Sequence, residues 1–316
     1  MDNLLFCLNA TVPVFLLMVL GYIFKRIHVF SDAFTKNMNS FVFKIALPVL
    51  VFQDLSVADF KSMWDGKYVL VCFGITVISI LLAFLTALLF RRRGIIAEFV
   101  QASFRSSAAL LGIGIIQNIY GHSGYAPLMI IGAVPLYNVT AVILLSVIKE
   151  KKEDSGLTKA ALRKTLLGIV TNPIIIGILV GIVWSLLKIP QPVIFQKMVG
   201  SIAALATPMG LMALGASFTF SSAKGYLKPA IVASVFKLII FCAIFLPLSI
   251  YLGYREDKLI ALLIMLGSPT TVSCFIMAKN MDHEGTLSAS TVMITTLFSA
   301  FTLTAWLYLL KCMGVV

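Results

Sequence analysis

Ten stretches of about twenty mainly apolar residues govern what this chain can fold into, because about twenty residues of helix cross a bilayer. They run over 5–24, 37–56, 68–90, 97–118, 124–148, 165–187, 198–220, 229–250, 257–279 and 286–310. The loops between them are short, and none has room for a catalytic domain. Of the 316 residues, 60% are hydrophobic and 12% charged, against about 25% charged in an ordinary soluble chain. A soluble helical protein of this size would have to hide more apolar surface than one core holds. The pattern therefore predicts an all-α integral membrane protein. The first stretch has no positive leader or small-residue cleavage site, and Lys25-Arg26 follow it, so it reads as a retained helix.

Charge then predicts orientation. The formal net charge is +12. Its Lys and Arg residues fall in short clusters between apolar stretches, without zinc-finger spacing or a basic face interleaved with aromatics, so nucleic acid is not an expected partner. Loops after stretches 1, 3, 5, 7 and 9 carry sixteen Lys and Arg, and the opposite side with both termini carries seven. By the positive-inside rule both termini should be extracytoplasmic. The five cysteines are scattered without a CxxC pair and read as small packed hydrophobes.

The longest polar connector, 149–164, divides the chain into a five-stretch half, 1–148, and another, 165–316. Because five is odd, a duplicated second half would be inserted upside down. TVPVFLLMVLG in the first half and TNPIIIGILVG in the second each place a proline eight residues before a glycine, Pro13 with Gly21 and Pro173 with Gly181. Inverted repeats of this kind are a common build for secondary transporters.

Pro48, Pro135, Pro208 and Pro269 all fall inside stretches. Each removes a ladder hydrogen bond, and in lipid the freed carbonyl needs another partner. A kink is the simple reading for a single proline. Leu266-Gly267-Ser268-Pro269-Thr270-Thr271 differs, because glycine, proline and three hydroxyls coincide, and it predicts an unwound crossing point. In the matching stretch of the first half, QASFRSSAALLGIG, Arg105 stands in an otherwise uncharged span and is followed by Ser106 and Ser107, with Gly112 and Gly114 beyond. Such a charge either attracts an anion, locks the fold, or snorkels to the headgroups. Asn138 follows Pro135 by one helical turn and offers either donors to a carboxylate or a tie between helices. Lys237 faces a cavity or reaches an interface.

No Asp or Glu lies deep in a stretch; Asp54, Glu98, Asp257 and Asp282 sit near ends. That disfavours a proton relay or a carboxylate sodium site, although carbonyls and hydroxyls around Ser268–Thr271 leave sodium coupling open. His28, His122 and His283 fall in loops, read as solvated, and suggest no metal site. No cofactor is expected. Without a Walker A sequence, HExxH or nucleophile elbow, no enzyme is expected either. Half-helix N-termini attract negative charge, so with Arg105 nearby a small organic anion is the favoured cargo.

The chain resembles the auxin efflux carrier family, including its bacterial malate and malonate transporter members. NATVPVFLLMVLGYIFKR with FVFKIALPVLVFQDLS, QASFRSSAALLGIGI, AVPLYNVTAVILL and LGSPTT carry the resemblance. It implies ten helices in two inverted repeats, with helices 4 and 9 broken and crossing, a sodium/proton antiporter NhaA-like and bile acid transporter-like fold. Spans 1, 2, 6 and 7 would form a scaffold domain, and spans 3–5 and 8–10 a transport domain. It also implies elevator-type movement of a mono- or dicarboxylate, often by a homodimer, in a bacterial inner membrane among its lipids. The crossover would lie near Arg105–Gly114 and Gly267–Thr271, faced by Asn138. Where related sequences often read FRSN and then IGLP, this one has FRSS and then LLGIG, so substrate preference does not carry over. A carrier of another solute class, such as amino acids, and a membrane sensor or structural subunit are the competing functions; no signalling module favours the last.

Overall fold

A computed structural model of the chain describes residues 2–56, 65–90, 93–108, 116, 119–120, 124–148 and 166–316. The connector 149–164, Gly112, Gly114 and His122 lie outside the described residues. Among the described residues every regular element is helical, and one isolated bridge joins Ser106 to Thr270.

The helices are α1 (Asp2–Arg26), α2 (Asp32–Phe41), α3 (Leu47–Ser56), α4 (Gly66–Ala87), α5 (Ile96–Phe104) and α6 (Ala126–Val147). After the connector come α7 (Pro173–Leu186), α8 (Val193–Ala204) and α9 (Ala206–Ser217). The last five are α10 (Leu227–Val235), α11 (Phe241–Tyr251), α12 (Glu256–Gly267), α13 (Ser273–Asn280) and α14 (Thr286–Cys312). Six continuous or nearly continuous helices are long and apolar enough to cross a membrane: Asp32–Ser56, Gly66–Ala87, Ala126–Val147, Val193–Ser217, Leu227–Tyr251 and Thr286–Cys312. With side chains such as Leu89 and Ile194 exposed by 80% and 84% on the outer face, the chain is an all-α, multi-pass membrane protein. Lipid tails accept such residues without cost.

Local sequence explains the joints. Ser31, Asp65 and Asn172 each cap a helix start by accepting a backbone N–H, from Phe34, Tyr68 and Ile174 respectively. The expected sixth stretch is interrupted: residues 166–170 are helical, Thr171 and Asn172 leave the helix, and α7 restarts with Pro173 at its first position. Pro48 follows a π-helical turn at Val42–Ala46, which joins α2 to α3. Pro208 stands in the first turn of α9, just past the joint at Leu205. Both prolines thus sit just past joints where the regular hydrogen-bond ladder is already altered. Pro135 lies inside the unbroken α6.

Close packing is concentrated in two helix pairs, α1 with α9 and α3 with α7. Gly21 lies on the Met212 backbone and Gly215 on the Met18 backbone, so closely that a Cβ at either would overlap a carbonyl. A Cβ at Gly177 would come within 2.5 Å of the Pro48 carbonyl oxygen. Small residues bring membrane helices together in this way, since water supplies no hydrophobic drive there. One buried apolar cluster draws chiefly on α4–α6, α10–α12 and α14, and a second on α1–α3, α7 and α9 with parts of α6, α13 and α14.

Candidate functional site

Two helix breaks meet between these clusters. The second is written in its own sequence: Pro269 disfavours helical backbone at the residue before it, and Ser268 is extended, with ψ 158°. The first, Arg105-Ser106-Ser107, has neither proline nor glycine, yet Arg105 is extended as well, with ψ 132°. Its partner holds it open. Ser107 N–H donates to the Pro269 carbonyl at 3.0 Å, and Thr270 Oγ1 donates to the Ala102 carbonyl at 2.8 Å. Thr270 N–H donates to Thr295 Oγ1 of α14 at 3.0 Å. Ser106 Oγ donates to the Ile264 carbonyl at 3.1 Å and touches Ser268 Oγ. An unpaired backbone group in lipid costs several kcal/mol, so each break is stable only with the other in place.

Arg105 does not snorkel. It is 2% exposed, and its guanidinium lies between α5, α6 and α13. One terminal nitrogen donates to Asn138 Oδ1 at 2.8 Å and Ser273 Oγ at 2.9 Å. The other approaches Met277 Sδ at 2.9 Å and Gln101 Oε1 at 3.3 Å. Asn138 returns its amide to the Val134 carbonyl within α6, at 3.1 Å. Asn138 therefore ties α6 to the first break through Arg105, and none of these partners is an acid.

A cavity of about 250 Å³ opens beside the crossing. Ser107, Pro269, Thr270 and Thr271 line it from the breaks, Thr11 from α1, Thr207 from α9 and Thr296 from α14, with Val14, Leu211, Val272 and Val292 making most of the wall apolar. Arg105 is not in the lining, but it reaches the wall through hydroxyls: Ser273 Oγ lies 3.1 Å from Thr271 Oγ1. The first turn of α13 begins at this wall, at Val272. Helix starts leave N–H groups unpaired and carry partial positive charge. The walls thus offer hydroxyls, amide donors and a buried guanidinium one hydroxyl pair away.

The sequence profile of the family described as "Membrane transport protein" matches residues 6–307. The chain belongs to the membrane transport protein family. A protein of Rhizobium meliloti (strain 1021) named "Putative malonate transporter" is 24% identical over 317 residues, covering 96% of this chain and 95% of its own. An uncharacterized transporter of Methanothermobacter thermautotrophicus is 23% identical, over 94% of this chain and 96% of its own. One of Methanocaldococcus jannaschii is 23% identical, over 96% and 98%. The relationship to auxin-efflux-carrier-type transporters is distant and full length. This is a family of transporters and not of enzymes, and among the described residues no His, Cys, Asp or Glu cluster could hold a metal.

Of the expected site residues in this membrane transport protein, Ser107, Pro269, Thr270 and Thr271 line the cavity. Ser106 and Ser268 bind the breaks together behind it. Arg105 and Asn138 sit one layer further back. Gly267 ends α12, where a Cβ would meet Cys242 Sγ at 2.9 Å. Pro48 and Pro208 shape joints, and Pro135 borders a different, apolar cavity. Gln101, Ser273 and Met277 around Arg105, and Thr11, Thr207 and Thr296 in the wall, are absent from the sequence reading. A hydroxyl in an apolar helix has the same local signature whether it faces a cavity or its own backbone.

Two further residues of this transporter correct that reading. His283 lies in a loop but is buried, 5% exposed, with Nε2 2.9 Å from the Leu145 carbonyl. Glu98 lies near a helix start yet is 2% exposed. Its carboxylate accepts Gly285 N–H at 2.7 Å and Ser288 N–H at 2.9 Å, capping the start of α14. The buried acid is committed to a helix start and lies outside the cavity wall.

Proposed function

We propose that this protein is a secondary transporter of small organic anions, mono- or dicarboxylates of the malate or malonate kind. The observation that carries the reading is a cavity where two helix breaks meet, whose largely apolar wall is set with hydroxyls. Its wall gains positive character from the start of α13 and from Arg105 behind Thr271 and Ser273, and among the described residues it contains no acid. A carboxylate there would accept N–H and O–H donors without confronting a like charge. The cavity volume suits a molecule of a few carbon atoms.

The architecture that goes with this function is ten spans in two inverted five-helix repeats, 1–148 and 165–316. Several features support it. Pro13 and Pro173, Gly21 and Gly181, and Pro48 and Pro208 are each 160 positions apart. The closest helix pairs, α1 with α9 and α3 with α7, exchange under that offset. Spans 1, 2, 6 and 7 would form the scaffold, and spans 3–5 and 8–10, holding both breaks, the moving transport domain. The cavity lies where α1 and α9 face the breaks, at the boundary an elevator-type movement would shear. We place the protein in a bacterial inner membrane, with both termini extracytoplasmic, as a homodimer.

The test is uptake of labelled malonate and malate into proteoliposomes, paired with a thermal-shift panel of carboxylates, amino acids and neutral metabolites. Saturable carboxylate uptake with matching thermal protection is the expected result. Protection by amino acids or neutral solutes alone overturns the assignment.

A further inference from the structure

Lys237 takes no part in the cavity or the Arg105 network. It is fully buried in the π-helical turn Phe236–Ile240 between α10 and α11. Among the described residues its ammonium has no carboxylate partner. Nζ donates instead to the carbonyls of Met265 and Leu266, at 3.1 and 2.8 Å, and the Met265 carbonyl also accepts the Tyr137 hydroxyl at 3.4 Å. Those are the last carbonyls of α12 before Gly267 and the second break, the groups that a helix end leaves without intrahelical donors.

A desolvated cation held by backbone carbonyl oxygens at the negative end of a helix uses the same chemistry that binds dissolved monovalent cations in proteins. The ligands are neutral, oxygen-only and fixed by the break itself. The neighbouring Ile264 carbonyl is already taken, by Ser106 Oγ and by Ser268 N–H. The π-helical turn also exposes its own Leu238 carbonyl, which Trp306 Nε1 satisfies at 3.0 Å. The turn is thus stabilised in the form that delivers the lysine.

We propose that Lys237 is a resident cation: its ammonium fills, from within the chain, a carbonyl site that a dissolved monovalent cation would otherwise have to fill for the crossing to stay intact. Being tethered, it neither enters nor leaves, so this site needs no sodium or potassium. Lys237 is a positioning residue, acting on the break through α12 and not on cargo.

The test is the thermal stability of the purified full chain in sodium, potassium, choline and propylammonium chlorides, a readout that needs no substrate and so fails separately from the transport assignment. Wild type should melt at one temperature in all four. K237A should lose ~3 °C or more in choline, a shift that corresponds to about 1 kcal/mol in a chain of this size. It should recover at least half of that loss in sodium, potassium or propylammonium, the last replacing the excised amine. K237M, which fills the space without charge, should show the loss with little recovery. A K237A whose melting ignores the cation, a K237M as stable as wild type, or a wild type stabilised by sodium over choline each overturns the proposal. If K237A is not recovered folded, K237S carries the same comparison. Failure of both in every salt also overturns it.

Discussion

Two cavities among the described residues share largely apolar walls and differ in the hydroxyls that reach them. The one at the crossing, about 250 Å³, carries hydroxyls from α1, α9, α14 and both breaks among apolar side chains. The other, about 350 Å³, lies between α3, α4, α6 and α7 and is lined by Leu55, Phe73, Ile131, Gly132, Pro135, Leu136, Val139 and Ile182. In the proposed repeat these are counterparts, since span 1 corresponds to span 6, span 7 to span 2 and span 10 to span 5. In that repeat the two halves would share a frame and diverge in lining. Pro135, which sequence placed beside Asn138 as a candidate hinge, borders the apolar cavity, while Asn138 turns toward Arg105. One helix turn separates a lipid-like surface from a polar one.

The largest effect that would test this contrast is Arg105→Ala. It strips Asn138 Oδ1 of its donor in a buried site, at about 1–3 kcal/mol for the stranded group, and leaves Ser273 Oγ only its contact with Thr271 Oγ1. Carboxylate uptake should fall at least ~30-fold, a loss of about 2 kcal/mol in binding. Arg105→Lys should recover little, because one ammonium cannot span the fork. Uptake unchanged in Arg105→Ala would remove the guanidinium from the function of the cavity at the crossing.

Next is Thr271→Val, which keeps shape and deletes one wall hydroxyl. The KM for a dicarboxylate should rise about 5–10-fold, a hydrogen bond worth about 1 kcal/mol, with little change in maximal rate. The mirror experiment, Val139→Phe in the apolar cavity, should alter uptake less than ~2-fold, since spare volume there can take the ring. A large effect at Val139 with none at Thr271 would reverse the assignment of the two cavities.

The smallest effect lies outside both. Asp65 caps α4 and pairs with Lys258 Nζ at 2.8 Å. The hydrogen bond from Lys258, and then that from the Tyr68 amide, holds its carboxyl below the usual range. A lowered folded-state pKa gives stability that is present above the unfolded Asp value of about 3.9 and is lost as pH falls through the folded value. Asp65→Asn should cost ~1 kcal/mol or less at neutral pH. Melting curves of the two proteins should converge on acidification below pH ~4.

How far the site was legible depended on which forces act locally. The break at Ser268 could be read because Pro269 disfavours helix at the residue before it and Gly267 weakens the turn that leads there. Arg105 could be singled out because a charge in an apolar stretch is costly wherever it ends up. The extension of Arg105-Ser106-Ser107 was anticipated only as a region, since the residues themselves permit helix and Pro269, Thr270 and Ala102 across the crossing hold them open. His283 and Glu98 were read as solvated or peripheral because loop position and closeness to a helix start are all that sequence supplies. Their burial comes from α5, α6 and α14 converging on one loop.

Sequence alone determined that this chain lives in lipid, that it is helical, and where its second break falls, because solvation and backbone sterics act within a few residues. Only the tertiary structure decided which hydroxyls face a cavity, that Arg105 is held one layer behind it, and that Lys237 meets the carbonyls of a distant helix end. Those outcomes depend on groups 28 to 172 positions apart, such as Lys237 with Met265 and Arg105 with Met277. In a medium without water each such group must find its partner inside the protein.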